Sequence, residues 1–523
     1  MASRTRNSIK NIYTGAFGQI LNMALGFVVR TVFIHTLTET YLGINGLLSS
    51  VFSVLNLANL GIDGAIVFAL YKPVAENNTA KTKSLMRFYR NAYRIIGWVI
   101  LAAGLALTPF LTYLTKGGTE LVDLRIAHWL LLAQTVLSYW FFAYLSSLLI
   151  ADQRRYEIAR VDYGINTALA MVRIALLFAL RASPVTAFYV FSAMGVVFNV
   201  ARNLFIRRRA ITLYPWLRDT DTLPMESAEK ASVFKNMAGM FTNNVCRVLN
   251  DGIDSTIITA YLGLDVTGVY SNYLVIKGYV LHVVKTILDP LTAGVGNLCA
   301  VEGEEKKESF FYSLQFFCFW MYGLFAICMW TLFNSFIVGV WLHDTKWLIS
   351  DLNVFLLVIN LLIEGLAKAV IIYRDANGLF WQTRYRYIFS SVFNAVLSVV
   401  LVGPLGLGVT GALLGTTVSV AIMVSYDPVL VFREVFHKKA GSYYLLYLKD
   451  LLLVLGTGAL VHLVCLPFSA FTFMNFALRL LVCLALPNLL WYFIFRRDAR
   501  FVYLRDTFLG FVRGVLRRFK RKQ

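Results

Sequence analysis

The chain has 523 residues, of which 58% are hydrophobic and 15% aromatic, and its formal net charge is +20. Its apolar runs repeatedly approach the roughly 20 residues that a helix needs to cross a bilayer, which predicts a multi-pass membrane protein. No P-loop, HExxH or GxSxG sequence occurs, the cysteines show no CxxC spacing and the histidines are scattered. The sequence therefore predicts neither an enzyme nor a metal site.

Apolar segments follow one another along the chain, and fourteen of them are predicted to be membrane-spanning helices. The polar stretches between them are too short to form a soluble domain with its own core. The expected fold class is an all-α polytopic membrane protein. The predicted spans cover about residues 11–35, 44–70, 92–114, 127–150, 162–180, 185–206, 233–262, 267–299, 312–341, 350–373, 387–404, 409–432, 449–467 and 473–495.

Basic residues are distributed unevenly between the loops and predict the orientation of the helices. With the N-terminus in the cytoplasm, few of the 49 lysines and arginines fall in external loops, namely Lys116, Arg125, Arg181 and Lys346. This asymmetry follows the positive-inside rule and places both termini in the cytoplasm. The net charge is therefore attributed to membrane topology, and no nucleic-acid partner is expected.

The two halves of the chain align weakly at a shift of 225 residues, with Lys10 on Lys235 and Gly43 on Gly268. Because both halves have six spans of the same orientation, they predict two lobes related by a pseudo-two-fold axis along the membrane normal. The predicted divisions are an N-terminal six-helix lobe (1–215), a cytoplasmic linker (216–232), a C-terminal six-helix lobe (233–440), an additional helix pair (441–495) and a basic amphipathic cytoplasmic tail (496–523).

Charged residues inside the predicted spans are the strongest functional signal. An intramembrane cation costs roughly 2.5–3.5 kcal/mol on insertion scales, so it usually faces a cavity or a partner. The basic ones are Arg30, Arg173, Arg247, Lys277, Lys285, Lys368 and Arg479. The acidic ones are fewer: Asp63, Asp251, Asp254, Asp289 and Glu364. This excess of cations indicates an interior that handles an anionic substrate.

Span 7 places polar residues on one helix face, because Asn243, Arg247, Asn250, Asp251 and Asp254 recur at helical spacing. In one interpretation Arg247 binds a phosphate oxygen while the aspartates carry a coupling cation. In the other, Arg247 and Asp251 form a salt bridge that only closes a helix interface.

The remaining candidates lie on spans 1, 2 and 8. Lys277 has no acidic residue one turn before it, whereas Lys285 has Asp289 one turn after it. Arg30 either binds a ligand or extends to the outer headgroups. Asp63 lies between two glycines and either binds H⁺ or Na⁺ or pairs with a cation across the cavity.

Two further positions carry structural expectations. Arg173 is central in its span and is expected to find an acid or a phosphate. Glu364 and Lys368, four residues apart on span 10, are expected to pair with each other.

Several short sequences carry a likeness to a known family. They are Lys10-Asn11 before the long first span, Arg30, the run Leu42-Gly43-Ile44-Asn45-Gly46-Leu47, and the run Leu60-Gly61-Ile62-Asp63-Gly64-Ala65. With the topology, they resemble the O-antigen-type (Wzx-like) polysaccharide flippases of the multidrug/oligosaccharidyl-lipid/polysaccharide superfamily.

The resemblance implies a transporter of the bacterial cytoplasmic membrane that moves a polyprenyl-pyrophosphate-linked oligosaccharide between leaflets by alternating access. It implies a cationic cavity in which Arg30, Arg247, Lys277 and Lys285 bind the substrate. Asp63, Asp251 and Asp254 would then serve coupling or gating, with H⁺ or Na⁺ as coupling ion and no organic cofactor. The implied partners are the lipid bilayer, the glycan substrate and polysaccharide-assembly proteins such as a polymerase, and the protein is expected to be a monomer.

Two alternatives stay open at this point. One is a cation-coupled multidrug or small-molecule exporter of the same superfamily, for which an acidic cavity would be expected. The other is a membrane scaffold for polysaccharide assembly that transports nothing.

Overall fold

The computed structural model describes residues 18, 21–55, 70, 73–74, 76–111, 122–142, 144–152, 154–218, 252–377 and 379–506. These residues are almost all helical, and no strand occurs among them, which confirms the predicted fold class. The chain divides into two compact units, Met1–Ser271 and Asn272–Gln523, which are described in turn. The predicted linker lies outside the described residues beyond Arg218, and the predicted lobe boundaries stay predictions.

The first unit is built from helices whose ends have local causes. The Asn78 side chain accepts a hydrogen bond from the Lys81 amide and so begins α3, and the Asp123 side chain begins α4 in the same way. The helices are α1 (Leu21–Thr36), α2 (Glu39–Leu55), α3 (Thr79–Leu107), α4 (Leu124–Trp140), α5 (Leu145–Ala151), α6 (Arg155–Ala179), α7 (Pro184–Leu213), α8 (252–262) and the start of α9 (Leu264–Val301).

The second unit continues α9 beyond Ser271. Its other helices are α10 (Glu304–Phe336), α11 (Asp351–Leu366), α12 (Lys368–Ala376), α13 (Phe380–Val402), α14 (Gly408–Ser425), α15 (Asp427–Val435), α16 (Gly441–Cys465), α17 (Phe473–Phe495) and α18 (499–506). Eight helical segments among the described residues can cross a membrane, or up to 10 if each of two bent pairs is one span. The predicted fourteen also include segments that the structure does not describe.

The predicted boundary between spans 5 and 6 is confirmed. Helix α6 ends at Ala179 and α7 begins at Pro184, so only a short turn separates two long helices. Proline favours the first helical position, where its missing N–H removes no helical hydrogen bond.

The helix pair α16 and α17 is built into the core of the second unit. The Trp491 ring is fully buried 4.9 Å from that of Phe319 on α10, and its Nε1 donates to Thr457 Oγ1 at 3.1 Å. Trp320 Nε1 donates to Asn488 Oδ1 at 2.7 Å. Buried Trp N–H groups that find acceptors avoid the cost of desolvation, so these contacts stabilise the association of the pair with α10.

The predicted tail begins against the second unit rather than on lipid alone. The Phe501 ring stacks on Trp320 at 5.6 Å, and the Arg500 guanidinium lies 5.2 Å from the centre of the Phe316 ring. Arg500 Nη2 also donates to Asp498 Oδ2 at 2.7 Å, which lowers the pKa of Asp498. Residues 507–523 of the tail lie outside the described residues.

The predicted ion pair between Glu364 and Lys368 is wrong. The helix bends by 43° between α11 and α12, and the two residues lie on opposite sides of that break. Glu364 is exposed and forms no ion pair within the part of the chain that the structure describes. The i,i+4 rule holds only for a continuous helix.

Candidate functional site

Arg30 occupies a defined position in the first unit. It lies on α1 with a half-buried side chain, and its Nη2 donates to Ser271 Oγ on α9 at 2.7 Å. The Ser271 hydroxyl in turn donates to the Gly268 carbonyl oxygen at 2.7 Å, which leaves its lone pairs for the guanidinium. Because the Ser271 hydroxyl is neutral, this hydrogen bond positions the guanidinium and leaves its charge unchanged.

The Arg30–Ser271 contact lies beside a close crossing of α2 and α9. A Cβ atom at Gly43 would come 2.0 Å from the Leu264 carbonyl oxygen, and one at Gly268 would come 2.5 Å from that of Glu39. Only glycine allows the two backbones to approach this closely.

The contacts at this crossing follow the predicted 225-residue shift. Gly43 and Gly268 are equivalent under the 225-residue shift, and so are Glu39 and Leu264. Each glycine contacts the equivalent of the other's partner, as the predicted repeat requires, and the pseudo-two-fold axis itself stays a prediction. Thr40 and Asp265, also 225 residues apart, are joined by a hydrogen bond of 2.6 Å between Oγ1 and Oδ1.

The two lysines of α9 differ in environment, and both lie in the second unit. Lys277 is half-buried, whereas Lys285 is exposed. Among the described residues, Lys277 forms neither a hydrogen bond nor an ion pair. The Lys277 ammonium therefore has no protein counter-charge in this part of the chain, although it lies within a helix predicted to cross the membrane.

The acidic candidates are only partly described. Asp254 lies on α8 and is 6% exposed. Arg247, Asp63 and Asp251 lie outside the described residues, so their predicted roles and the proposed Arg247–Asp251 salt bridge stay predictions.

Arg173 has partners of a different kind from those expected. Its Nε donates to the Phe191 carbonyl oxygen at 3.2 Å, and its guanidinium lies 4.1 Å from the centre of the Phe191 ring. Within the described part of the chain no acidic side chain pairs with it. A carbonyl dipole and an aromatic face can both stabilise a guanidinium. The sequence could not indicate these partners, because only an acid or a phosphate was expected as the counter-charge of Arg173.

A buried ion network in the second unit escaped the sequence analysis. Asp427, 1% exposed, lies 2.9 Å from Arg374 Nη1 through Oδ2 and 2.7 Å from Arg386 Nη2 through Oδ1. Arg374 also pairs with Asp375 at 2.6 Å and donates to the Tyr387 hydroxyl. The sequence carries a signal, since Asp427 lies directly before a proline near the end of the predicted span 409–432, but the predicted intramembrane acids do not include it.

Replacing Asp427 by asparagine is expected to destabilise the protein by about 3–5 kcal/mol, because two buried guanidinium groups lose their shared counter-charge. Asp375→Asn is the matched control, since its side chain is 32% exposed and its pairing contributes about 1 kcal/mol or less. The thermal midpoint of the detergent-solubilised protein, followed by size-exclusion chromatography, measures both. Equal midpoints for the two variants would contradict the central role of Asp427.

Comparisons with known proteins place this fold. No protein-family model and no curated protein sequence matches the chain. Among solved structures, an inward-facing multidrug resistance MATE family transporter of the MOP superfamily has a TM-score of 0.62 at 12% identity, covering 78% of this chain and 94% of its own. Lipid II flippase MurJ, in an inward closed conformation, has a TM-score of 0.63 at 14% identity, covering 92% and 98%. The eukaryotic MATE transporter AtDTX14 has a TM-score of 0.57 at 12% identity, covering 85% and 99%.

The chain therefore has the fold of the MOP-superfamily transporters, a class that includes both MATE exporters and a lipid flippase. At these identities the likeness concerns the fold alone. The fold expected for that superfamily is confirmed, whereas membership of the superfamily and of its Wzx-like branch stays a prediction.

Proposed function

We propose that this chain is a flippase that moves a polyprenyl-pyrophosphate-linked oligosaccharide from the inner to the outer leaflet of a bacterial cytoplasmic membrane by alternating access. The observation that carries the proposal is Lys277, a half-buried ammonium with no hydrogen bond or ion pair among the described residues. An ammonium group in this position has a high free energy unless an anionic ligand binds it. The fold shared with lipid II flippase MurJ over 92% of this chain supports a lipid-linked substrate.

The chemistry of a pyrophosphate matches the proposed binding residues. Arg30 and Arg247 supply planar guanidinium groups that bind two phosphate oxygens at once, and Lys277 and Lys285 supply point charges. Cations at several points along the path lower the free energy of a multiply charged headgroup in a low-dielectric passage.

The acidic residues have a second role in this proposal. Asp63, Asp251 and Asp254 respond to a coupling H⁺ or Na⁺ or to the membrane potential. Asp254 is the one whose burial the structure describes. Because burial disfavours a negative charge, it favours the form of a carboxylate that has bound a cation. Polysaccharide-assembly proteins are the proposed partners of a monomeric transporter.

The alternative within the same fold is an exporter of small cationic molecules, as the MATE likeness allows. Its cavity would need an excess of carboxylates to bind cations. The predicted intramembrane residues show the opposite balance, with basic side chains outnumbering acidic ones. This charge balance favours the flippase.

The direct test is flipping of a fluorescent polyprenyl-pyrophosphate glycan in proteoliposomes. Lys277→Ala and Arg247→Ala are each expected to reduce the initial rate by about tenfold or more, because a hydrogen bond to a charged group contributes about 1.5–3 kcal/mol. Lys346→Ala is the matched control, since Lys346 is an exposed loop residue, and it is expected to flip at the wild-type rate.

Three outcomes separate the candidate functions. Unchanged flipping in both variants at normal protein levels would overturn the cationic mechanism. No flipping of several glycans by folded wild-type protein, together with export of a cationic dye, would establish the exporter. If the folded protein transports neither lipid-linked glycans nor cationic molecules, the membrane scaffold is the candidate function that remains.

A further inference from the structure

A cavity of about 480 Å³ lies within the first unit, where the first turns of α3, the last turns of α7 and the break between α4 and α5 meet. Its volume lies within the range of small-molecule sites, roughly 300–1,000 Å³. The basic residues that line it are Lys83, Arg87, Arg90, Arg207 and Arg218. None of the described residues that line it is acidic.

The cavity has an apolar floor and a cationic rim. Met86 and Leu145 are buried at its base, next to the half-buried ring of Trp216. Arg90 and Arg218, by contrast, are exposed. An apolar base beneath exposed guanidinium groups complements an amphiphile whose charged end carries several negative oxygens.

Arg207 on the rim differs from its neighbours on α7, which are paired with acidic side chains. Arg202 Nε lies 2.6 Å from Asp162 Oδ1, and Arg209 Nε lies 2.9 Å from Glu157 Oε2. Arg207, two residues before Arg209, instead lies over the Phe142 ring with its guanidinium 4.4 Å from the ring centre.

Two other rim arginines, Arg90 and Arg218, also lack an acidic partner within the part of the chain that the structure describes. Among the described residues, Arg90 and Arg218 form no hydrogen bond or ion pair, and Arg207 forms none besides its ring contact. Arg90 and Arg207 both lie close enough to the Tyr144 hydroxyl to interact with it electrostatically. Cations that converge without a carboxylate between them create a local positive potential that attracts an anion.

We propose that this cavity binds the phosphate headgroup of an anionic phospholipid. The predicted topology places this end of α3 and α7 at the cytoplasmic leaflet, where basic pockets between membrane helices bind phosphate-bearing headgroups. The apolar floor favours a lipid over a free phosphate, because it covers the hydrocarbon next to the headgroup. None of its lining residues is among the proposed transport residues. A negative result for lipid binding would therefore not contradict the proposed flippase function, and the reverse also holds.

The test uses the full-length protein in a neutral detergent, with bound lipid counted by native mass spectrometry. Cardiolipin is the probe, phosphatidylcholine is the uncharged comparison, and pyrophosphate is the soluble comparison. The triple variant Arg90→Ala, Arg207→Ala, Arg218→Ala is expected to bind cardiolipin roughly a hundredfold more weakly, since each cation near an anionic headgroup contributes about a fivefold factor.

A matched triple variant removes the same charge from exposed positions of the same unit outside the cavity, namely Arg155→Ala, Arg160→Ala and Arg208→Ala. It is expected to keep the wild-type affinity. If the cavity variant does not fold, Arg218→Ala alone is expected to weaken binding about fivefold.

Three results would overturn the assignment. One is wild-type affinity for cardiolipin in the folded cavity variants. Another is binding of phosphatidylcholine as tightly as cardiolipin, which would make the contact apolar only. The third is binding of pyrophosphate as tightly as cardiolipin, which would make the ligand a soluble phosphate and not a lipid.

Discussion

Arg30→Ala is expected to lower the rate of glycan flipping by about tenfold to a hundredfold while the protein still folds. The proposed role of Arg30 is to bind pyrophosphate oxygens, and hydrogen bonds to charged groups contribute about 1.5–3 kcal/mol each. The residue is half-buried on α1 and held by Ser271 Oγ at 2.7 Å, so the guanidinium is already positioned when a ligand arrives. Flipping in proteoliposomes at several glycan concentrations measures the effect.

Two control variants separate binding from structural support. Arg30→Lys keeps the charge but loses the bidentate geometry, so it is expected to retain part of the activity. Ser271→Ala keeps the guanidinium and removes its neutral hydrogen-bond partner, with an expected loss of only a few-fold. If Ser271→Ala is as inactive as Arg30→Ala, the contact between α1 and α9 is what matters and the ligand role of Arg30 is wrong.

Gly43→Leu and Gly268→Leu are each expected to prevent accumulation of folded protein. A side chain at either position would meet a backbone carbonyl oxygen, at 2.0 Å for Gly43 and 2.5 Å for Gly268. Backbone atoms cannot rotate away as a flexible side chain does, so α2 and α9 would have to separate. Even Gly43→Ala is expected to cost about 1–3 kcal/mol, the usual range for overpacking.

The matched controls are Gly164→Ala on α6 and Gly278→Ala on α9, where a Cβ atom meets nothing within 4 Å. These are expected to be neutral or to stabilise by up to about 1 kcal/mol, since alanine favours helix over glycine. Size-exclusion chromatography of the detergent-solubilised variants after a temperature series gives the thermal midpoints. If the Gly43→Ala midpoint equals those of the controls, the backbones of α2 and α9 have room for a Cβ atom at position 43, and the close approach is wrong.

Which side chains neutralise which charges was decided by tertiary structure. Asp427 and Arg374 are 53 residues apart yet lie in contact, and Arg173 uses a carbonyl and a ring on the neighbouring α7 in place of an acid. The predicted neighbours Glu364 and Lys368, by contrast, are separated by a bend. Spacing along one helix predicts contacts only where the helix is continuous and its neighbours are known.

By itself the sequence determined the membrane class, the all-helical fold and the short turn before Pro184. These follow from local properties, because apolar length and turn residues act within a segment. Only the tertiary structure decided that Arg30 contacts Ser271 and that Arg207 faces a ring while Arg209 is paired. The physical reason is that pairing energy depends on distances between helices, which helix packing sets and sequence spacing does not contain.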